Sequence, residues 1–360
     1  MKRLLIILTI LVAFLSMLTA CGKTSSTSTT PAENDITVVF IPKVKGNSFF
    51  EAANEGAQKY SQKHGFRTKY AGSTKADAQE QIKIIKDSIS EKVSAICISA
   101  LDADALSPVL KEAMAKGIKV TTWDSDVAPD ARSLMVSQGT ANQLSRMLVE
   151  MGAKSLLARG KDPRKAKIRY VWHYSQSVTK DQNSWQAAGE KYIQATYPNW
   201  ENVKPDNYYS EQNPGKAITV GEEILKTHPD IDLIICNDST ALPGQSQALK
   251  NLGKTAGQIT VTGFAPPNVM RGYCKDGIVE RWGLWDCQVQ GALGCYLAYY
   301  LATGNKAPVG SKIDVVDIGI INVMPNTVLE PGAYTAPDSG IVLLPERLEF
   351  TINNVDKYNF

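Results

Sequence analysis

The chain has 360 residues and a mass of 39.2 kDa, enough for about two domains. Its 43% hydrophobic and 21% charged residues make an ordinary globular balance, which argues against disorder over most of the length. Of the 39 basic residues, Lys2 and Arg3 fall in a segment expected to be removed. The remaining 37 face 36 acidic ones, so the basic surplus of a nucleic-acid binder is missing.

Met1 to Ala20 opens on the charges of Lys2 and Arg3. It continues in an apolar run from Leu4 to Phe14 and closes on Leu18-Thr19-Ala20-Cys21-Gly22. A basic start, a short apolar core and small residues at the end define a secretory signal peptide over residues 1–20. An apolar core of about eleven residues is too short for a helix across a bilayer of ~30 Å. Leu18-Thr19-Ala20-Cys21 also resembles a bacterial lipobox, which makes Cys21 the expected lipidation site. Residues 21–35, rich in Ser and Thr and without a large apolar side chain until Ile36, then form a solvated linker that tethers the folded body to the cell membrane.

From Ile36 onward apolar strands alternate with helical stretches. The first half reads as a strand at 36–41, a helix at 49–64, a weaker strand at 68–71 and a helix at 77–91. A strand at 95–98, a helix at 105–116 and a strand at 118–123 complete it. The second half repeats the rhythm: helix 143–153, strand 168–173, helix 184–197, a strand-like piece at 203–209 and helix 216–227. It continues with strand 231–236, helix 241–252 and strand 259–263. Buried strands separated by helices signal parallel sheets wound by βαβ units. The fold class is therefore α/β, with two doubly wound, Rossmann-like lobes and a ligand cleft outside the carboxyl ends of their strands.

No GxSxG elbow, P-loop, HExxH or GxGxxG is present, and none of the three histidines stands at metal-ligand spacing with another His or Cys. We therefore expect no catalytic residue, no metal and no cofactor. Five cysteines follow Cys21, an odd number without short paired spacing, which does not describe a disulfide framework. Cys97 and Cys236 lie in apolar strands as buried thiols, while pairing among Cys274, Cys287 and Cys295 stays open.

Polar and aromatic residues gather at the strand ends. They include Ile41-Pro42-Lys43, Thr122-Trp123-Asp124-Ser125-Asp126, Gln138-Gly139-Thr140 and Asp181-Gln182-Asn183-Ser184-Trp185. Gly263-Phe264, Pro267-Asn268-Val269-Met270-Arg271, Gly283-Leu284-Trp285-Asp286 and the closing Asp356-Lys357-Tyr358-Asn359-Phe360 follow. In this order and spacing the tracts resemble the type I periplasmic binding proteins, the ligand-capturing subunits of sugar ABC importers. Within that superfamily they are most similar to the Lsr-type autoinducer-2 binding proteins, over essentially the whole mature chain.

The resemblance implies a small, hydroxyl-rich hydrated furanose held by Lys43, Asp124, Asp181 and Gln182, with two backbone contacts at Asn237 and Ser239. Asp124 and Asp181 would accept hydrogen bonds from hydroxyls, while Lys43 and Gln182 would donate. Phe49, Trp185 and Trp285, with Leu284 beside them, correspond to the family's apolar pocket wall. Where the family has Pro-Asp-Ala-Asn, this chain has Asn237-Asp238-Ser239-Thr240. Asp126 and Asp238 are expected in structural or hinge roles, and Asp286 in orienting the loop that carries Trp285.

The implied function is capture of autoinducer-2, a quorum-sensing signal, by an extracytoplasmic, lipid-anchored monomer that delivers it to an ABC importer permease. A binding protein for another small sugar such as rhamnose or ribose is the alternative, and a sugar-acting enzyme the alternative of a different class. Three crossings between lobes are expected, near Asp126, near Gly263 and around Ile320 to Met324. They divide the body into 36–125 with 263–322 and 126–262 with 323–360.

Overall fold

The computed structural model describes residues 36–360. The expected signal peptide, the lipidation site Cys21 and the linker to residue 35 lie outside the described residues. Among the described residues no helix is long and apolar enough to cross a membrane.

The first half is built around β1 (Thr37–Ile41), β2 (Arg67–Tyr70), β3 (Ala95–Ile98), β4 (Lys119–Trp123) and β5 (Leu134–Ser137). These pair in the order β2-β1-β3-β4-β5, all parallel. Side chains alternate along β1, so Val38 and Phe40 enter one apolar core while Val39 and Ile41 enter another on the opposite face. The second core is closed by α2 (Ala78–Ser90) and α3 (Ala103–Ala115), whose first turns are capped by Asp77 and Asp102. The first core is closed by α1 (Ser48–Lys63).

The second half contains α4 (Ala141–Ala158), β6 (Ile168–Tyr174), α5 (Lys180–Thr196), β7 (Trp200–Asn202) and β8 (Tyr208–Tyr209). It continues through α6 (Pro214–Thr227), β9 (Leu233–Cys236), α7 (Ala241–Asn251), β10 (Thr260–Gly263) and α8 (Pro267–Lys275). Its parallel sheet runs β10-β9-β6-β7, with β8 also on β6. β11 (Trp282–Leu284) continues this half through a bridge between Phe264 and Gly283.

The chain then returns. α9 (Cys287–Ala302) packs on α1, β3 and β4, so closely that a Cβ at Gly291 would overlap the Ala53 carbonyl. A hairpin of β12 (Lys312–Val315) and β13 (Gly319–Asn322) follows. Then β14 (Met324–Pro325) pairs antiparallel with β15 (Gly340–Leu343), which adds to the first sheet beside β5. Finally β16 (Leu348–Phe350) pairs with β11 in the second half.

These pairings correct the expected division. β5 was assigned to the second lobe but lies hydrogen-bonded between β4 and β15 in the first sheet. β15 was likewise assigned to the second lobe. The three crossings fall between Ser137 and Ala141, between Leu284 and Cys287, and between Leu343 and Leu348, each downstream of its expected place. The cysteine question also closes: Cys97, Cys236, Cys274, Cys287 and Cys295 are all free and buried.

Candidate ligand-binding site

In both halves the chain order around the central strands reverses beside the first strand, and the polar residues stand outside the carboxyl ends there. Lys43 follows β1, Ser99 follows β3 and Asp124 follows β4. The buried Lys43 ammonium lies 3.1 Å from Asp124 Oδ2, and the Ser99 hydroxyl donates to the same oxygen at 2.7 Å. Burial works against the Lys43 charge. The carboxylates of Asp124, Asp181 and Asp238 outweigh it, so the Lys43 pKa ends above its ordinary value.

Asp124 has a left-handed backbone, φ 60°, a strained conformation for a residue other than glycine. Its carbonyl accepts from Gln138 Nε2 at 3.0 Å. Gln138 Oε1 in turn accepts from Gln290 Nε2 at 3.0 Å, and Gln290 Oε1 accepts from the Trp285 indole at 2.6 Å. This relay joins two of the crossings to the site.

From the other half, Asp181 and Gln182 come from the first turn of α5. Both carboxylate oxygens of Asp181 are buried without a protein partner. Burial pushes its pKa up, Lys43 pulls it back and Asp124 adds to the rise, while the neighbouring Ser125 hydroxyl lowers it somewhat. Gln182 is held by Ser175, whose amide and hydroxyl donate to Oε1 at 3.1 and 2.6 Å. That leaves Gln182 Nε2 facing Asp238, 3.4 Å away.

Asn237 donates its amide to the Gln182 carbonyl at 3.1 Å, and its Oδ1 is buried and unpartnered. Asp238 accepts from the Thr240 and Ala241 amides at 3.0 and 2.8 Å, capping α7, and from Gln212 at 3.1 Å. Burial holds its pKa above the usual carboxylate range.

The halves meet through Asn47, which caps α1 by accepting from the Phe49 amide at 2.9 Å. Its side-chain amide donates to Thr240 Oγ1 at 2.9 Å, and the Ser239 hydroxyl donates weakly to its Oδ1 at 3.4 Å. Lys180 reaches across to Asp104 at 2.6 Å on the surface.

Aromatic rings close the remaining sides. The Trp285 centroid is 5.7 Å from Phe49, 5.5 Å from Phe264 and 6.3 Å from Trp185, each edge-to-face. Such packing excludes water and places ring faces where a sugar's C–H groups can lie.

Of the ten expected ligand and wall residues, nine line one small cavity of about 20 Å³: Lys43, Phe49, Asp124, Gln182, Trp185, Asn237, Ser239, Leu284 and Trp285. Asp181 lies instead in an adjoining chamber that shares Asp124 and Trp185. Phe50, Gln212, Asp238 and Phe264 also line the small cavity and were not expected there. Phe264 was findable, since it directly follows β10 as Lys43 follows β1 by two residues. Gln212 sits at φ 55° in an irregular loop, for which no sequence signal exists.

Asp126 pairs with the buried Arg132 at 2.8 Å, a structural role. Asp286 caps α9, accepting from the Val289 amide at 3.0 Å, and so fixes the turn that carries Trp285. Among the described residues no group of three or more His, Cys, Asp or Glu is placed to hold a metal.

A two-lobed α/β body with an interlobe polar site and aromatic walls defines a solute receptor. A family model described as a periplasmic binding protein domain matches residues 38–306, and the chain belongs to that family. It is similar to the structure of LsrB from Clostridium saccharobutylicum in complex with AI-2, with 57% identity and a TM-score of 0.89. That match covers 90% of this chain and 100% of the other.

Among curated proteins, a D-ribose/D-allose-binding protein from Pseudomonas aeruginosa is 28% identical over 84% of this chain and 93% of its own length. A solute-binding protein of an ABC transporter from Clostridium phytofermentas, solved with L-rhamnose, has 22% identity and a TM-score of 0.79. It covers 91% of this chain and 98% of its own, and shares the fold.

Proposed function

We propose that this chain is an extracytoplasmic receptor that captures autoinducer-2 between its lobes and delivers it to an ABC importer, without chemistry on the ligand. The observation that carries the reading is the pattern of satisfaction inside the site. Lys43, Gln182 and Asp238 are held by protein partners, whereas the Asp181 carboxylate and Asn237 Oδ1 are buried acceptors with none. Buried acceptors beside aromatic walls call for a ligand that brings hydroxyl donors. The 57% identity to a protein solved with AI-2 supports that ligand in particular.

The three crossings serve as a hinge, and closure makes the Asn47–Thr240 and Lys180–Asp104 contacts. Titration calorimetry with autoinducer-2, ribose and rhamnose tests the assignment. Tight binding of a pentose or hexose with none for autoinducer-2 would replace the ligand and keep the transport role. The ribose/allose-binding relative is the observation that favours this second reading. Turnover of any of these compounds would make the protein an enzyme instead.

Cys21 is the lipid attachment point in this reading, and a monomer acts at the outer face of the cell membrane. Cys21→Ser should release the mature protein from membranes. Retention in the membrane fraction would refute the anchor.

A further inference from the structure

Lys43, Ser99 and Asp124 stand at the ends of three different strands, so their meeting depends on what ties β1, β3 and β4 together there. The backbone supplies part of the tie. The Ser99 amide donates to the Ile41 carbonyl at 2.9 Å, and the Ala100 amide to the Ser125 carbonyl at 3.0 Å. The rest comes from Gln81 near the start of α2, which is 2% exposed. Its Nε2 donates to the Pro42 carbonyl at 2.9 Å and to the Ser99 carbonyl at 2.8 Å, while its Oε1 accepts from the Leu101 amide at 3.0 Å.

These three bonds grip the backbone on which the polar groups of the site are mounted. Pro42 directly precedes Lys43, and Ser99 carries the hydroxyl that donates to Asp124 Oδ2. Gln81 itself lines neither cavity, and both of its N–H donors are spent on carbonyls. Only a side-chain amide offers two donors and an acceptor at one tip, so neither a carboxylate nor an apolar chain of the same length makes all three bonds. The tolerance is small. A shift of about 0.5 Å carries the 3.1 Å Lys43–Asp124 contact out of hydrogen-bond range.

We infer that Gln81 is a positioning residue for ligand capture: without touching the ligand, it sets the spacing of Lys43 and Ser99 against Asp124. The inference rests on the site assigned under Proposed function and extends that site to a side chain outside its walls.

The test titrates native protein and variants by calorimetry with whichever of autoinducer-2, ribose and rhamnose the native protein binds, at a temperature where each variant is folded by circular dichroism. Gln81→Met keeps the length of the side chain and removes all three bonds. Gln81→Glu keeps the acceptor for the Leu101 amide and sets a carboxylate against the two carbonyls. Each folded variant should bind at least about tenfold more weakly than the native protein. Ile85→Ala, one turn further along α2 at a fully buried position, is the control. It should lower the melting temperature and leave the affinity within about threefold. Ser99→Ala should weaken binding by itself. Adding Gln81→Met to it should then cost at least about threefold less affinity than Gln81→Met costs alone, because both act through Asp124.

Gln81 variants that bind within about threefold of the native protein, a control that loses as much affinity as they do, or fully multiplicative losses in the pair with Ser99→Ala would overturn the positioning role. So would failure of both Gln81 variants to fold, which would assign the side chain to stability alone. A native protein that binds none of the three compounds would overturn the function reading itself.

Discussion

Asp181 is costly to the empty protein and useful only to the ligated one, and Asp181→Asn separates the two effects. In the unliganded chain its carboxylate oxygens are buried with no well-formed hydrogen bond, only the nearby Ser125 hydroxyl. Lys43 gives part of the compensation from a distance, while its direct ion pair is with Asp124. The isosteric amide keeps two buried polar atoms in the same places but removes the cost of burying the charge, less the attraction of Lys43, so it should stabilise the empty protein by about 1–3 kcal/mol. With roughly 2 °C per kcal/mol for a chain of this size, the melting temperature should rise by about 2–6 °C.

The pH dependence has a fixed sign. A carboxyl whose pKa is raised on folding binds its proton more tightly in the folded state. Stability therefore falls as pH rises above the unfolded value of about 3.9 and levels off above the raised one. The advantage of the variant should accordingly be small in acid and grow toward neutral pH. Binding should move the other way. Two charge-assisted hydrogen bonds from ligand hydroxyls, at about 1.5–3 kcal/mol each, give way to one neutral bond of about 1 kcal/mol to the amide oxygen, a weakening of roughly 30–3,000-fold. Scanning calorimetry across pH 4 to about 8, paired with titration of autoinducer-2, reads both. A variant that melts lower than the native protein, or binds within threefold of it, would refute the placement of this carboxylate (threefold being about 0.7 kcal/mol).

Other residues give sharp expectations. His173 is fully buried beside Gln245 with Nε2 unpartnered, and burial pushes its pKa down to about 4. The native protein should therefore lose up to about 3 kcal/mol as pH falls from ~6.5 to ~4, and His173→Gln should remove that part of the slope in pH-dependent denaturation. Asn47→Ala deletes a helix cap and the hydrogen bond to Thr240. Chemical denaturation should show a loss of about 1 kcal/mol, and calorimetry a further loss of ligand affinity of ~0.5–1.5 kcal/mol that a cap alone would not cause. Gln290→Leu strands the Trp285 indole and Gln138. Stability should drop by about 1–3 kcal/mol per stranded group, and an unchanged melting curve would show that the relay is not formed.

The sequence carried most of the strand–helix rhythm through β10, because β-branched runs such as Thr37–Ile41 and Leu233–Cys236 alternate with helices whose caps are explicit; it missed β5, and the strand-like piece at 203–209 is instead β7 at Trp200–Asn202 and β8 at Tyr208–Tyr209. It did not carry the return path. α9 is buried almost all round, with residues such as Ala292, Leu293, Cys295, Leu297 and Ala298 inside, so it has no polar face to reveal a helical period. β5 and β15 have four residues each, and what makes them strands is their pairing with one another and with β4 across a long stretch of chain. A crossing is defined by such pairings, which is why all three were expected too early.

The site was legible for a related reason. Lys43, Asp124, Asn237 and Ser239 stand at or just beyond the ends of strongly apolar strands, where a doubly wound sheet must present them to the cleft. What strand ends cannot tell is which way each side chain turns once it is there. At Asn237 the side-chain amide spends its donor on the Gln182 carbonyl and keeps its acceptor open. Asn237 thus ties the end of β9 to the first turn of α5. The added polarity faces inward as one further acceptor, the kind of group that favours a ligand rich in hydroxyls.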